Sequence, residues 1–337
     1  MARSPVIDVL LPVRNAAETL PACLASFDAQ TFRRFRLIAV DDGSCDASRS
    51  LLEAFSRRHP GTRILSTGGS GLVAALNLGL ARCTAPLVAR MDADDTMAPD
   101  RLERQAAFLD SHPRTGLVAC QVESPQARGG FAAYLEWSNA LLSDAEIRRE
   151  RFIESPVIHP SVCFRRHLVE RHGGYRSGDF PEDYELWLRW LDAGVRFAKL
   201  PAPLLGWSDR PGRLTRTDPR YRPDAFSAAK APWLLRWLDR HNPAGPRAWV
   251  WGAGTLTRRR IRPLADAGLV IHAFIDIDPR KIGRSTRHGP ILPPHALPGP
   301  AHSFVLVAVG TRGARDIIRP QLLARGYREA HSFLCLA

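Results

Sequence analysis

The chain has 337 residues, of which 45% are hydrophobic, and it carries a formal net charge of +13. This length predicts two domains, each large enough to bury its own core. No apolar stretch of about eighteen residues is present and no apolar leader follows Met1. We therefore expect no transmembrane segment, no signal peptide and a cytoplasmic location. The six cysteines contain no C-x-x-C pair, which argues against zinc sites and disulfide frameworks.

The positive charge comes almost entirely from arginine, because only Lys199, Lys230 and Lys281 are lysines. Two explanations stay open: an anionic partner, and the codon bias of a G+C-rich gene. The arginines are dispersed and accompany no recognised nucleic-acid-binding motif, so we expect no nucleic-acid partner. A phosphate-bearing small molecule, or peripheral contact with the inner face of a membrane, would need fewer of them.

Strands and helices alternate through the first part of the chain. The predicted strands lie at 6–13, 35–40, 63–65 and 87–91, and the predicted helices at 20–27, 47–58 and 71–81. This alternation predicts an α/β fold with a doubly wound, mostly parallel sheet. Ligands of such sheets bind at the carboxyl ends of the strands, which is where the polar segments of this sequence stand.

The second half of the chain divides into two parts. Residues 129–240 contain many tryptophans and proline-rich turns and look like an elaboration of the first domain. The breaker-rich segment 241–246 predicts a linker. We therefore predict a first domain over 1–240, with two halves at about 1–128 and 129–240. A smaller α/β domain is predicted over 247–337.

Three carboxylates, those of Asp92, Asp94 and Asp95, follow the strand at 87–91. Carboxylates this close repel one another unless a cation or a strong set of hydrogen bonds offsets their charge. Magnesium or manganese, held by one or two carboxylates together with substrate phosphates, fits this pattern. The alternative is a capped helix start, because a helix is predicted shortly afterwards. An EF-hand does not fit, since its glycine and distal glutamate are absent.

Two further acidic segments each allow a functional and a structural interpretation. Asp42 ends the second predicted strand, just before Gly43. It either forms an Asx turn or accepts hydrogen bonds from a base or ribose. Glu182 and Asp183 stand at the start of a predicted helix. Acids there either complement the helix dipole or supply a general base for an acceptor hydroxyl.

These segments belong to four motifs that occur together and in order. The motifs are Pro12-Val13-Arg14-Asn15; Val40-Asp41-Asp42-Gly43-Ser44-Cys45-Asp46; Ala89-Arg90-Met91-Asp92-Ala93-Asp94-Asp95 with Pro99-Asp100-Arg101-Leu102 and Gln105; and Pro181-Glu182-Asp183-Tyr184 with Leu186-Trp187. Over roughly residues 7–206 the chain resembles family 2 glycosyltransferases of the GT-A fold. The resemblance implies an inverting enzyme that uses a nucleotide-diphosphate sugar, most often a UDP-sugar, with Mn2+ or Mg2+. The Gln/Arg-x-x-Arg-Trp signature of processive members is missing, which favours addition of a single sugar.

The resemblance also implies which residues bind the donor nucleotide. By motif position these are Pro12, Val13, Arg14 and Asn15 of the first motif and Asp42 of the second, with Asp42 contacting the base. Relatives commonly carry an aromatic residue where this chain has Arg14. An arginine can stack on a base or bind a phosphate, so it is kept as a donor contact.

The remaining roles follow from the resemblance in the same way. Asp92 is assigned to the ribose side of the donor, and Asp94 to the metal that bridges the diphosphate. Asp183 is assigned as the general base that removes the proton of the acceptor hydroxyl, and one displacement inverts the anomeric carbon. We expect Asp95 to support the turn. The resemblance also implies a nucleotide-binding half at about 1–128 and an acceptor-side half at about 129–240. The acceptors that the family implies are lipid-linked sugars, glycans and proteins.

Three residues are candidates for acceptor or diphosphate contacts. His159 resembles the histidine of a His-Pro-Ser element near the acceptor side of relatives, although a structural histidine fits the pattern too. Arg213 lies in an arginine-containing segment that either closes over the diphosphate as a lid or is simply solvated. Glu182 precedes the candidate base.

The C-terminal domain begins with a glycine turn of its own. Gly252, Ala253 and Gly254 follow a predicted strand, and the next strand, 271–278, stands at about the distance of a Rossmann fingerprint, with Thr257 in place of the third glycine. A Rossmann-like domain is therefore predicted. Two alternatives to glycosyl transfer stay open: a sugar-nucleotide oxidoreductase that uses this turn, and a non-catalytic nucleotide-sugar-binding protein.

Overall fold

The computed structural model describes residues 4–210 and 212–337, so the predicted leaderless start at 1–3 lies outside the described residues. The strands are Ile7–Val13 (β1), Phe35–Asp41 (β2), Arg63–Ser66 (β3), Leu87–Arg90 (β4), Thr96–Met97 (β5), Thr115–Glu123 (β6), Cys163–Arg165 (β7), Arg196–Gly206 (β8), Arg247–Trp251 (β9), Val270–Ile275 (β10), Ser285–Thr286 (β11), Gly289–Leu292 (β12), Val305–Val307 (β13) and Phe333–Cys335 (β14). The helices are Leu20–Asp28 (α1), Ser48–Arg58 (α2), Leu72–Leu80 (α3), Arg101–Ser111 (α4), Gly129–Ala140 (α5), Asp144–Glu150 (α6), His167–His172 (α7), Glu182–Asp192 (α8), Leu214–Thr217 (α9), Pro223–His241 (α10), Thr255–Asp266 (α11) and Ala314–Ala324 (α12). Among the helices of these described ranges, none combines the length and apolar character needed to cross a membrane.

The described chain forms two compact units, and each unit contains segments that are not contiguous in the sequence. The first contains the described residues up to Ile147, Pro156–Ser177 and Arg189–Arg213; the second contains Arg148–Ser155, Gly178–Leu188 and Leu214–Ala337. Helix α10, placed in the acceptor-side half by the sequence pattern, belongs to the second unit. The domain ranges 1–240 and 247–337 stay a prediction.

The first unit is built on an eight-stranded sheet with the order β3-β2-β1-β4-β7-β6-β8-β5. Strands β1 to β4 pair in parallel, as do β6 and β8, whereas β7 and β5 pair antiparallel to their neighbours. The predicted α/β fold with a mostly parallel sheet is confirmed. Because β1, β2 and β4 run the same way, their carboxyl ends bring the three predicted acidic and polar segments to one edge.

Every residue of the central strand β1 is buried, including the charged Asp8. Strands covered on both faces are expected to be almost continuously apolar, so this carboxylate needs partners. Asp8 accepts hydrogen bonds from Arg36 (2.8 Å) and from the backbone N–H groups of Thr84 (2.6 Å) and Ala85 (2.8 Å). The pair with Arg36 stabilises the amino end of the sheet, away from the polar edge.

The second unit contains a six-stranded sheet with the order β11-β12-β10-β9-β13-β14, in which only the β11–β12 hairpin is antiparallel. Side chains alternate across its strands. Val250 and Leu306 pack with α10 and α11 on one face, while Trp251 and Val307 pack with α12 on the other. A second, smaller α/β sheet is thus present, and its description as Rossmann-like stays a prediction.

Candidate active site

The carboxyl ends of β1 and β2 meet at the buried carboxylate of Asp42. Its backbone N–H donates to Val13 O (2.8 Å). The carboxylate accepts hydrogen bonds from Gly71 N–H (3.0 Å), from the Thr67 hydroxyl and from Arg14 Nη1 (3.3 Å). Arg14 keeps 58% of its side chain exposed. Asp42, the predicted contact to the nucleotide base, is therefore a carboxylate held in one orientation beside the accessible Arg14.

The other residues of the first motif lie at the end of β1 beside the loop that contains Asp42. Pro12 and Val13 end β1 and are buried in the sheet. Asn15 has a positive φ of 49°; its N–H donates to Ser44 Oγ (3.0 Å), and its side-chain oxygen accepts from Cys45 N–H (2.9 Å). The Asn15 side chain thus holds the loop that follows β2. Its contact with a donor stays a prediction.

The carboxylates of Asp92, Asp94 and Asp95 converge at the end of β4. One oxygen from each lies within 4.8 Å of the others. Asp95 is buried; its Oδ1 accepts from Ser208 N–H (3.0 Å), while its Oδ2 is buried with no hydrogen-bond partner. Asp95 therefore joins the end of β4 to the distant Ser208 and also presents an unsatisfied buried oxygen, which costs free energy unless a donor or a cation meets it. Its support of the turn stays a prediction.

Burial and mutual repulsion raise the pKa of two of these carboxyls. For Asp94 burial is the larger cause and the charge of Asp92 the next; for Asp95, whose pKa lies well above its ordinary value, burial is followed by Asp92 and Asp94. The charge of Arg213 acts in the opposite direction on both pKa values. A cluster of anionic oxygen ligands that repel one another fits a hard divalent cation such as Mn2+ or Mg2+.

Two arginines bring positive charge to this cluster. Arg90, fully buried at the end of β4, forms an ion pair with Asp92. Arg213 lies over the ring of Trp207, with its guanidinium carbon 4.0 Å from the ring centroid, and over Phe131 at 5.6 Å. The aromatic rings hold Arg213 through a cation–π contact near the acidic residues, where it can bind an anionic ligand.

A buried polar layer lies behind the cluster. His159 Nε2 is 2.6 Å from the Tyr175 hydroxyl, and burial, with the charge of Arg90, holds the pKa of His159 well below its ordinary value. Arg101 donates to the backbone oxygens of Arg90 (2.9 Å) and Pro160 (2.6 Å). These contacts favour the structural interpretation of His159, a neutral ring that supports β4. Its contact with an acceptor stays a prediction.

The acidic pair of the fourth motif lies in the second unit, at the start of α8. Glu182 is only 2% exposed, and its two carboxylate oxygens accept from the Tyr221 hydroxyl at 2.9 and 2.7 Å. Asp183 is half-buried, and its Oδ1 accepts from Tyr184 N–H (2.7 Å). Tyr221 thus holds Glu182, while Asp183 is the more accessible carboxylate of the pair.

Comparison with known proteins identifies the family. The model of glycosyl transferase family 2 matches residues 8–173, which include Asp42, the Asp92–Asp95 segment and His159 but not Asp183. The amylovoran biosynthesis glycosyltransferase AmsE of Erwinia amylovora is 33% identical over 203 residues, which are 59% of this chain and 75% of AmsE. The chain belongs to glycosyl transferase family 2. It is a glycosyltransferase, as the four motifs predicted.

Solved structures support the GT-A-like fold of this glycosyltransferase. TarS 1–349 of S. aureus in complex with UDP-GlcNAc is 17% identical with a TM-score of 0.57, and the match covers 77% of this chain and 71% of that one. The mannosyltransferase PcManGT of Pyrobaculum calidifontis, in complex with GDP-Man and Mn2+, is 21% identical with a TM-score of 0.52, covering 79% and 69%. At these identities the likeness establishes the fold alone.

Several residues that shape the site of this glycosyltransferase carry no strong sequence signal. Thr67 and Ser208 contact the acidic groups from distant parts of the chain, and Tyr221 is 39 residues from its partner Glu182. Arg90 lies within the third motif, but the motif implies no role for it. The signal that could have found it is a charged residue inside an apolar strand, which is costly to bury without a partner.

The C-terminal glycine turn is occupied by the protein itself. Ala253 N–H donates to Asp276 Oδ2 (2.9 Å), and Lys281 Nζ is 3.1 Å from the same oxygen. Gly252 has a φ of 111°, and a Cβ there would lie 2.7 Å from a methyl group of Val309. The turn is closely packed, and Asp276 already holds the amide that a cofactor pyrophosphate would need.

The raised pKa values predict that stabilisation by Mn2+ depends on pH. An aspartate whose pKa is higher in the folded state binds more protons there, so its contribution to the free energy of unfolding falls as pH rises through that pKa. Mn2+ must displace these protons before it binds. The increase in Tm caused by Mn2+ is therefore expected to be larger at about pH 8 than at about pH 5, by about 5 °C. Thermal denaturation at both pH values tests this. Asp94→Asn should remove most of the difference, and an equal Mn2+ effect at both pH values would contradict the expectation.

The contact between Tyr221 and Glu182 predicts a measurable stability effect. Burial raises the pKa of Tyr221, and the charges of Glu182 and Asp183 raise it further, so the hydroxyl stays a donor. Tyr221→Phe should lower the free energy of unfolding by about 1–3 kcal/mol, because Glu182 loses its hydroxyl partner while buried. Chemical denaturation measures this. The double variant with Glu182→Gln provides the control: additive effects of the two changes would mean that the pair does not interact.

Proposed function

We propose that this glycosyltransferase transfers a sugar from a nucleotide-diphosphate donor, with a UDP-sugar expected, to an acceptor hydroxyl, inverting the anomeric carbon. The observation that carries the proposal is the carboxylate cluster at the end of β4, in the same unit as the buried carboxylate of Asp42. Similar proteins support it, since AmsE is a glycosyltransferase of amylovoran biosynthesis and TarS has been solved with UDP-GlcNAc. The expected acceptor is a glycan or lipid-linked sugar in polysaccharide or glycoconjugate assembly.

On the donor side, Asp42 and Arg14 are proposed to contact the nucleotide base and Asp92 the ribose side. Asp94, with the unsatisfied oxygen of Asp95 beside it, is proposed to hold Mn2+ or Mg2+. A bound divalent cation supplies positive charge for the oxygens of the departing diphosphate. Arg213 adds a second positive charge, because its guanidinium is held by aromatic rings near the cluster.

On the acceptor side, Asp183 is proposed to accept the proton of the attacking hydroxyl. The acceptor oxygen forms a bond to the anomeric carbon as the bond from that carbon to the diphosphate oxygen breaks, and the proton remains on Asp183. Attack from the face opposite the leaving group inverts the configuration. Glu182 is bound by Tyr221 and keeps a supporting role.

The proposal is tested by measuring release of nucleoside diphosphate from a panel of UDP- and GDP-sugars with Mn2+. We expect turnover of at least one UDP-sugar and its loss in EDTA. Turnover only with GDP-sugars would contradict the expected base, and full activity in EDTA would contradict the metal. A β-linked product from an α-linked donor, identified by NMR, is the expected evidence of inversion.

The two alternatives have less structural support. In an oxidoreductase, the cofactor would have to displace Asp276 from the glycine turn. Saturable binding of NADH would support this alternative. A non-catalytic nucleotide-sugar-binding protein would bind donors without turning any of them over. The family membership and the candidate base favour catalysis over both.

A further inference from the structure

Net positive charge is concentrated in the C-terminal part of the chain. Residues 243–337 contain 14 arginines and lysines against 5 aspartates and glutamates, whereas the preceding 242 residues contain 33 against 29. Arginine is about equally frequent in both parts, so the difference comes from the scarcity of acidic residues. A codon bias towards arginine does not explain that scarcity. The C-terminal part therefore has a net charge of +9 of its own.

Exposed aliphatic side chains accompany this charge at the carboxyl edge of the second sheet. Leu256 is 67% exposed, Ile277 77% and Ile317 63%. Leu256 begins α11 after β9, Ile277 follows β10, and Ile317 lies in the first turns of α12 after β13. Because β9, β10 and β13 are parallel neighbours, the segments that follow them lie at one edge of the sheet.

Hydrogen bonds hold these segments together. Ala253 N–H donates to Asp276 beside Ile277, and Thr257 Oγ1 donates to Ala308 O (3.0 Å), which joins the start of α11 to the end of β13. Exposed arginines of the same segments include Arg258 and Arg312; Arg259 and Arg280 are exposed too but are ion-paired, with Asp224 and Asp278. We define the basic–apolar patch as Leu256, Ile277, Ile317, Arg258 and Arg312.

Acidic groups near the patch are few or neutralised. Asp276 is buried against the glycine turn. Asp278 is paired with Arg280 and Lys281, and its hydrogen bonds with Arg280 lower its pKa to about 2. Only Asp316, in the first turn of α12, is an exposed acid within these described segments. Arg258 lies in the first turns of α11, and the N-terminus of a helix carries a partial positive charge. The charge of Arg258 adds to it, so the positive potential there is reinforced.

We propose that the basic–apolar patch docks this chain on an anionic lipid bilayer. Arginines beside aliphatic side chains are the combination that such a surface selects: the guanidinium groups meet lipid phosphates, and the leucine and isoleucines enter the interfacial region. A nucleic acid would use the arginines but would bury none of the aliphatic side chains. The patch lies outside the proposed donor and base residues, so docking does not depend on the proposed donor.

The experiment is co-sedimentation of the full chain with phosphatidylcholine vesicles, prepared with and without phosphatidylglycerol. We expect binding only when phosphatidylglycerol is present, and less of it at high salt. Each arginine near an anionic surface contributes about a factor of five, so Arg258→Gln with Arg312→Gln should weaken binding about 25-fold. Leu256→Ser with Ile277→Ser should weaken it about tenfold.

A matched control removes the same charge elsewhere. Arg82→Gln with Arg114→Gln changes two exposed arginines of the first unit and should alter binding less than about twofold. Equal binding to vesicles without phosphatidylglycerol, or unchanged binding of both patch variants, would overturn the proposal. The proposal would also be overturned if poly(U) RNA competed with vesicles for the protein and its binding were unchanged by Leu256→Ser with Ile277→Ser. Donor turnover by the patch variants should be unchanged, which separates failure of docking from failure of the proposed function.

Discussion

Asp183→Asn is expected to lower kcat by about 10²–10⁴-fold, because the amide cannot accept the proton of the acceptor hydroxyl. The KM for the donor should change little, since the donor-binding residues proposed here lie in other motifs. The measurement is steady-state release of nucleoside diphosphate with the best donor of the panel and Mn2+. Thermal denaturation of the same variant should show that the protein remains folded.

Asp179→Asn is the matched control for this experiment. Asp179 is exposed and lies four residues before Asp183, so the same chemical change is made outside the helix start. We expect nearly full activity from it. If Asp183→Asn keeps its activity while Glu182→Gln loses it, the base is Glu182 and the assignment made here is wrong.

Asp94→Asn is expected to lower kcat/KM by about 10²–10³-fold and to remove stimulation by Mn2+, because the cation loses an anionic ligand and the diphosphate loses charge compensation. Activity measured against Mn2+ concentration distinguishes a weaker site from a lost one. Removal of a charge from a repelling cluster should leave the metal-free protein at least as stable as the parent, since burial and Asp92 raise the pKa of Asp94.

The control for the metal experiment is Asp110→Asn, which changes an exposed carboxylate of α4 in the same unit. It should keep both the activity and the response to Mn2+. Unchanged Mn2+ dependence in Asp94→Asn would show that the cation is held elsewhere. Asp95→Asn then becomes the informative variant, because Asp95 Oδ2 is buried without a hydrogen-bond partner.

Much of the first unit could be predicted because its signals are local. Apolar runs such as Ile7–Val13 alternate with amphipathic helices, and that periodicity is enough to predict a parallel sheet. The direction of parallel strands then brings Asp42 and the Asp92–Asp95 segment to one edge. The family followed from four short motifs in order, each of which is contiguous in the chain.

The partners of those acidic residues could not be predicted in the same way. Ser208 binds Asp95 from 113 residues away, and Tyr221 binds Glu182 across 39 residues. A single hydrogen bond of this kind leaves no periodicity in the sequence, because any hydroxyl or backbone N–H at the right place serves equally well. The same holds for Arg213, whose position depends on the rings of Trp207 and Phe131.

The sequence by itself therefore determined the class of fold, the family and the kinds of group that make up the site, because strand periodicity and contiguous motifs are written in neighbouring residues. Only the tertiary structure decided how the charges are balanced. It paired Asp92 with Arg90, left Asp95 Oδ2 unsatisfied, closed the glycine turn with Asp276 and grouped Leu256 and Ile277 with arginines at one sheet edge. Those outcomes depend on which distant segments pack together, and burial then sets what each charge costs.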